Sequence, residues 1–77
     1  MTSNKEAKYL VAFGENIAQL RHKSSISQEK LADKVGLAVV SIARIEQGRR
    51  WTKLSTLHKI ARALGVPTDE LLKGLKQ

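Results

Sequence analysis

A chain of 77 residues holds one domain at most, and at that length only about 60% of the unfolded surface is buried on folding, which leaves no room for a deep catalytic cavity. The absence of cysteine removes disulfides, thiolate zinc sites and thiol catalysis together. Fourteen Lys and Arg against seven Asp and Glu give a net charge of +7, a field that draws polyanions: nucleic acid first, an anionic membrane surface second.

The opening run MTSNKEAK has no apolar stretch after its charges and does not read as a signal peptide. No apolar run in the chain approaches the roughly 18 residues that span a bilayer, so a cytoplasmic protein is expected. Residues 1–5 are polar and expected to be flexible, with residues 6–77 forming the domain. No stretch alternates at period two over strand length, and Gly and Pro fall between periodic segments, so the chain reads as all-α with five helices.

The first helix is expected from about Lys5 to Lys23, with Leu10, Phe13, Ile17 and Leu20 as its apolar stripe. Gly14 interrupts it at a cost of about 1 kcal/mol relative to Ala, which a close packing contact would explain. The second opens at Ser27, an N-cap followed by Gln28 and Glu29, and turns Leu31, Ala32 and Val35 inward before Gly36 ends it. The third runs from about Ala38 to Gln47 and stops at Gly48. The fourth spans about Lys53 to Leu64, with Leu54, Leu57, Ile60, Ala61 and Leu64 inward, and Gly65 closes it. Thr68 or a neighbour caps the fifth, which turns Leu71, Leu72 and Leu75 inward. The two histidines, His22 and His58, lie far apart with no carboxylate at ligand spacing, so both read as surface residues and no metal or other cofactor is expected.

The connection between the second and third helices carries the most information. A three- to four-residue turn centred on Gly36 forces the two to cross steeply, so that one projects while the other braces it. A projecting helix fits a major groove about 12 Å wide. At 100° per residue, Ile42, Ile45 and Glu46 share one side of the third helix. Val40, Arg44 and Gln47 share the other, with Val39 and Ala43 flanking. Exposed valines either pack partly in the core or touch thymine methyl groups. Arg44 either forks onto a guanine edge or meets a phosphate. Glu46, on the inward side, needs a cation, and Arg21 near the end of the first helix is the best placed. No second titratable group accompanies Glu46 in the motif, which argues against catalysis. Gln28 sits at a helix N-terminus, where a phosphate is favoured. Arg49, Arg50 and Lys53 form a basic loop suited to the sugar-phosphate backbone, and Ser41 and Gln47 join that set. Trp51, in the same loop, is either a lid over the core or a contact in a dimer or DNA interface.

The run ISQEKLADKVGLAVVSIARIEQGRR, Ile26 to Arg50, resembles the helix-turn-helix of the phage repressor and Cro family. FGENIAQLR, Phe13 to Arg21, and LSTLHKIARALGVPTDELL, Leu54 to Leu72, are similar to that family's first and closing helices. The resemblance implies a compact five-helix, lambda-repressor-like domain that binds double-stranded DNA as a homodimer, with its third helix in the major groove. By position it implies base reading by Val39, Val40, Ala43 and Arg44, a backbone contact from Gln28, and an ion pair between Arg21 and Glu46. Three departures stand out: Ala38 replaces a Ser or Thr cap, Ser25 replaces a turn glycine, and Trp51-Thr52 replaces Asn-Pro.

The expected function is therefore sequence-specific transcription regulation, most simply repression, at a pseudo-palindromic operator. Occlusion of RNA polymerase, or contact with it, is the expected mechanism. An antitoxin with a toxin partner, or a restriction-modification controller, would use the same domain. No nucleophile, metal set or phosphate-binding glycine loop marks an enzyme. Leu71, Leu72 and Leu75 exceed what a short terminal helix needs for its own anchoring, so one or two are expected at a dimer interface.

Overall fold

The computed structural model describes residues 4–75. Among them are five helices and no strand: α1 (Asn4–Lys23), α2 (Gln28–Val35), α3 (Val39–Glu46), α4 (Leu54–Leu64) and α5 (Thr68–Leu71). Residues 1–3 of the segment expected to be flexible lie outside the described residues, and Asn4 and Lys5 already belong to α1.

Local chemistry sets these boundaries. The Ser27 hydroxyl accepts from the backbone N–H of Lys30 at 3.0 Å, filling one of the orphan donors that open α2. Gly36 ends α2 in the left-handed region at φ 72°, and Leu37 N–H returns to Ala32 O at 3.0 Å. Only Gly36, Leu37 and Ala38 separate α2 from α3. Ala38 occupies the N-cap of α3 with extended backbone and no side-chain bond, as its methyl group dictates.

α3 packs on α1 and α2, α2 also packs on α4, and α5 rests on α4 and α1. The core takes residues from every helix. Phe13, Ile17, Leu31, Ile42, Ile45, Ile60 and Leu71 are its fully buried large side chains. The contact that explains Gly14 is severe. A β-carbon there would collide with Ile45 O and stand 2.6 Å from Glu46 O, both backbone atoms of α3. Gly14 is what lets α1 and α3 meet backbone to backbone.

One expectation changes and another resolves. Leu54 is not part of the inward stripe; it is 66% exposed, and Thr56 holds the buried position in that first turn of α4. The stripe simply starts one turn before the core does. At the cap of α5 it is the neighbour of Thr68 that takes the position. Pro67 stands at the cap, without a side-chain bond, and the Thr68 hydroxyl lies 3.0 Å from His58 Nδ1. The one-turn α5 is held from elsewhere: Asn16 Nδ2 of α1 donates to Leu71 O at 3.0 Å and to Lys73 O at 2.8 Å.

Candidate nucleic-acid interface

The inward side of α3 ends in a carboxylate that would be costly to bury alone. Arg21 meets it with two N–H groups, Nε to Glu46 Oε2 at 2.7 Å and Nη2 to Oε1 at 3.1 Å, in the bidentate geometry that strengthens such pairs. Both side chains are about nine-tenths buried. A third Arg21 donor, Nη1, reaches Ile26 O in the α1–α2 turn at 2.9 Å. Gln28 Nε2 donates to Glu46 Oε1 at 2.9 Å. This last bond ties the first residue of α2 into the pair and is absent from the sequence reading. The signal was present: two carboxylate oxygens offer more acceptor sites than one guanidinium fills.

Fixed from behind, α3 presents a definite front. Val39 is 43% and Val40 50% exposed, Arg44 is exposed and Ala43 is half-buried. These are the four positions expected to read bases, and both valines lie outside the buried core. The first turn of α3 carries no acidic residue.

The α3–α4 loop begins at Gly48, at φ 76° and packed against Val11 of α1. Arg49, Arg50 and Lys53 are exposed along it, as is Gln47 at the end of α3. Arg50 is not loose: its Nη1 donates to the Ser41 hydroxyl at 3.2 Å, so the loop folds back along α3. Both residues were expected to meet the DNA backbone separately, not to bond to each other. Trp51 lies with its ring centroid 4.3 Å from that of Phe13, the rings tilted by 46°, yet stays 48% exposed. It covers the core and also faces solvent. Of the leucines expected at a dimer interface, Leu71 is fully buried within the protomer and cannot face a partner; Leu72 and Leu75 keep partial exposure. His22 and His58 are exposed. Among the described residues no helix is long and apolar enough to cross a membrane, and no cluster of side chains has the makings of a metal site.

A three-residue turn between two helices, a helix braced on one side and presenting Arg44 beside a basic loop on the other, and a core drawn from five helices define a helix-turn-helix DNA-binding protein. The helix-turn-helix family HTH_3 matches residues 17–71, and the chain belongs to it. It is similar to the control protein C.BamHI of Bacillus amyloliquefaciens, at 44% identity over 61 residues, 78% of this chain and 75% of that one. It is also similar to the prophage-derived transcriptional regulator YonR of Bacillus subtilis, at 39% identity over 80% of this chain and 57% of the relative. Among solved structures, the restriction-modification controller protein C.AhdI from Aeromonas hydrophila superposes with a TM-score of 0.78 at 37% identity, covering 80% of this chain and 94% of that one. The chain is a DNA-binding transcription regulator of the helix-turn-helix class, not an enzyme.

Proposed function

We propose that the protein reads a pseudo-palindromic operator as a homodimer, with α3 of each copy in the major groove. The observation that carries this reading is the front of α3: two adjacent exposed valines, a small Ala43 and an arginine one turn on, all held by a helix whose back is locked. Valines suit thymine methyl groups, and Ala43 lets the helix sit deep. Arg44 suits the O6 and N7 acceptors of guanine. Arg49, Arg50, Lys53, Ser41 and Gln47 take the flanking phosphates. Gln28 gives one amide N–H to Glu46 and keeps the other for a phosphate beside the N-terminus of α2. Bound in a promoter, such a dimer represses by occluding RNA polymerase, and it acts in the cytoplasm, where the DNA is.

A second reading makes it the controller of a restriction-modification system. It is favoured by similarity to the restriction-modification controller protein C.AhdI, covered over 94% of its length, and to the control protein C.BamHI. An antitoxin with a toxin partner has no comparable observation behind it.

Selection of binding sites from random DNA should return an inverted repeat with half-sites about one helical turn apart. With three to five phosphates per half-site, affinity for the selected site should drop by about 10³–10⁵ between 50 and 200 mM salt. A single unrepeated motif, or affinity indifferent to salt, would overturn the dimeric reading and the electrostatic one respectively.

A further inference from the structure

The cleft between α3 and the start of α4 holds a group that DNA reading leaves unused. It encloses about 570 Å³, lined by buried Ile45 and half-buried Leu37 beside Trp51, with exposed Arg50 and Lys53 completing it. Thr56 lies in it, 7% exposed, and its hydroxyl meets no hydrogen-bond partner among the described residues. No sealed side-chain oxygen or nitrogen in those residues lacks a partner, so this hydroxyl opens onto the cleft. The N-terminus of α4 opens there too. Lys53 makes no side-chain cap, and the first backbone bond of the helix runs from Leu57 N–H to Lys53 O. The N–H groups of Leu54, Ser55 and Thr56 therefore leave the first turn without acceptors in the helix.

We propose that this cleft is a site for the terminal phosphate of a small phosphate monoester, held by the Thr56 hydroxyl, the first N–H groups of α4, Arg50 and Lys53. The site stands on its own geometry. Its effect on regulation rests on the DNA-binding reading, because Arg50 and Lys53 are also the cations proposed for the backbone.

The donors converge on one class of ligand. An oxyanion accepts from a hydroxyl and from amide N–H groups alike, and the dipole of α4 favours negative charge at its N-terminus. Arg50 gives one N–H to Ser41 and keeps its other donors. Among the described residues, no acidic side chain lines the cleft to oppose an anion. Charge selects a monoester over the DNA backbone: it carries about −1.5 to −2 near pH 7, against two cations, whereas each backbone phosphate carries a single charge. Access selects it as well. Thr56 is more than nine-tenths buried, so a terminal phosphate reaches its hydroxyl, while a phosphate bonded to sugar on both sides within a duplex stays at the mouth. The exposed part of the Trp51 ring then lies against the organic part of the ester. An ester seated there takes up both cations that flanking DNA phosphates would use, so ligand and operator compete.

Adenosine monophosphate is the probe, beside inorganic phosphate and chloride at matched ionic strength, with the full chain free of DNA. Amide resonances and the fluorescence of Trp51, the only tryptophan, follow the titration. The amides of Leu54, Ser55 and Thr56 should shift saturably, and Trp51 emission should change with the same midpoint. Thr56→Val keeps the volume and removes the hydroxyl, so it should weaken binding by about tenfold, and Thr56→Ser should restore it. Adenosine monophosphate at about ten times its dissociation constant should then lower operator affinity about tenfold, and that of Thr56→Val only about twofold. Shifts that chloride reproduces, or that spread over the basic surface without saturating, overturn the site. Inorganic phosphate binding with the nucleotide excluded makes it an adventitious ion only and overturns the ester. Operator binding weakened by Thr56→Val while the nucleotide shifts nothing assigns the hydroxyl to a DNA phosphate and overturns it equally. Saturable nucleotide binding by a chain that selects no operator upholds the site and overturns only its link to DNA.

Discussion

Toward the core, α3 presents Ile42, Ile45 and Glu46, and both Glu46 oxygens are held, one by Arg21 and one by Arg21 and Gln28 together. Toward solvent the same eight residues present Val39, Val40, Ala43 and Arg44, and among the described residues no side chain bonds to Arg44. The back of the helix is over-determined, by an ion pair, two hydrogen-bonding helices and a backbone contact at Gly14. The front is left without partners. The difference separates where the helix stands from what it can bind, so substitutions on the two faces should fail in different currencies.

The sharpest test is at the back. Glu46→Ala strands the Arg21 guanidinium and frees the Gln28 amide, and should lower stability by about 3–5 kcal/mol, the range for breaking a buried pair. Chemical denaturation measures it, and an unchanged midpoint would mean that the pair contributes nothing to holding α3. Gly14→Ala attacks the same face sterically. Its β-carbon meets the backbone of Ile45 and Glu46, which cannot rotate away, so about 3 kcal/mol is expected, the upper end for overpacking. Native-like thermal stability in that variant would show that α1 and α3 can separate at little cost.

At the front, Arg44→Ala should leave the melting temperature alone. It should remove about 1–3 kcal/mol of affinity for the selected operator and relax preference at one position per half-site. Arg50→Ala should weaken all sequences alike and reduce the salt slope by about one per half-site. Affinities for single-base variants at two salt concentrations separate the two, and reversed roles would mean that α3 docks in another orientation. The smallest effect is expected away from both faces. Ser25 adopts φ 59°, a left-handed conformation that glycine reaches more easily, so Ser25→Gly should stabilise by about 0.5–1 kcal/mol without touching DNA affinity. Differential scanning calorimetry beside an operator titration would detect a departure in either direction.

Most of the fold was legible in the sequence because short-range chemistry dictates it. Ser27, Gly36 and Gly48 mark helix ends through bonds and dihedral angles that involve only neighbours. The register of α3 follows from Ile42 and Ile45 at helical spacing, which also turn Glu46 inward to where it needs a cation. What escaped depends on distance along the chain. Leu54 has the right spacing for the core, but spacing does not say that the core ends one turn short of it. Asn16 reaching the carbonyls of Leu71 and Lys73, 55 and 57 residues away, leaves no periodic trace. Thr68 has the chemistry of a cap, yet Pro67 takes the position and His58 takes the hydroxyl. The Ser41–Arg50 bond was within reach of a local reading, at nine residues, but the loop fold that makes it turns on Gly48 resting against Val11.

The contact at Gly14 also bears on how such a protein changes over time. It spends a position on α1 where any side chain would push α3 outward, so a mutational route that would tilt α3 is closed. The positions proposed to face DNA are not so enclosed: Val39, Val40 and Arg44 are exposed, and a substitution there meets solvent first. New operator preferences can therefore be explored one residue at a time on a scaffold that does not drift, and a library randomised at those positions should yield many folded members with few shared target sequences.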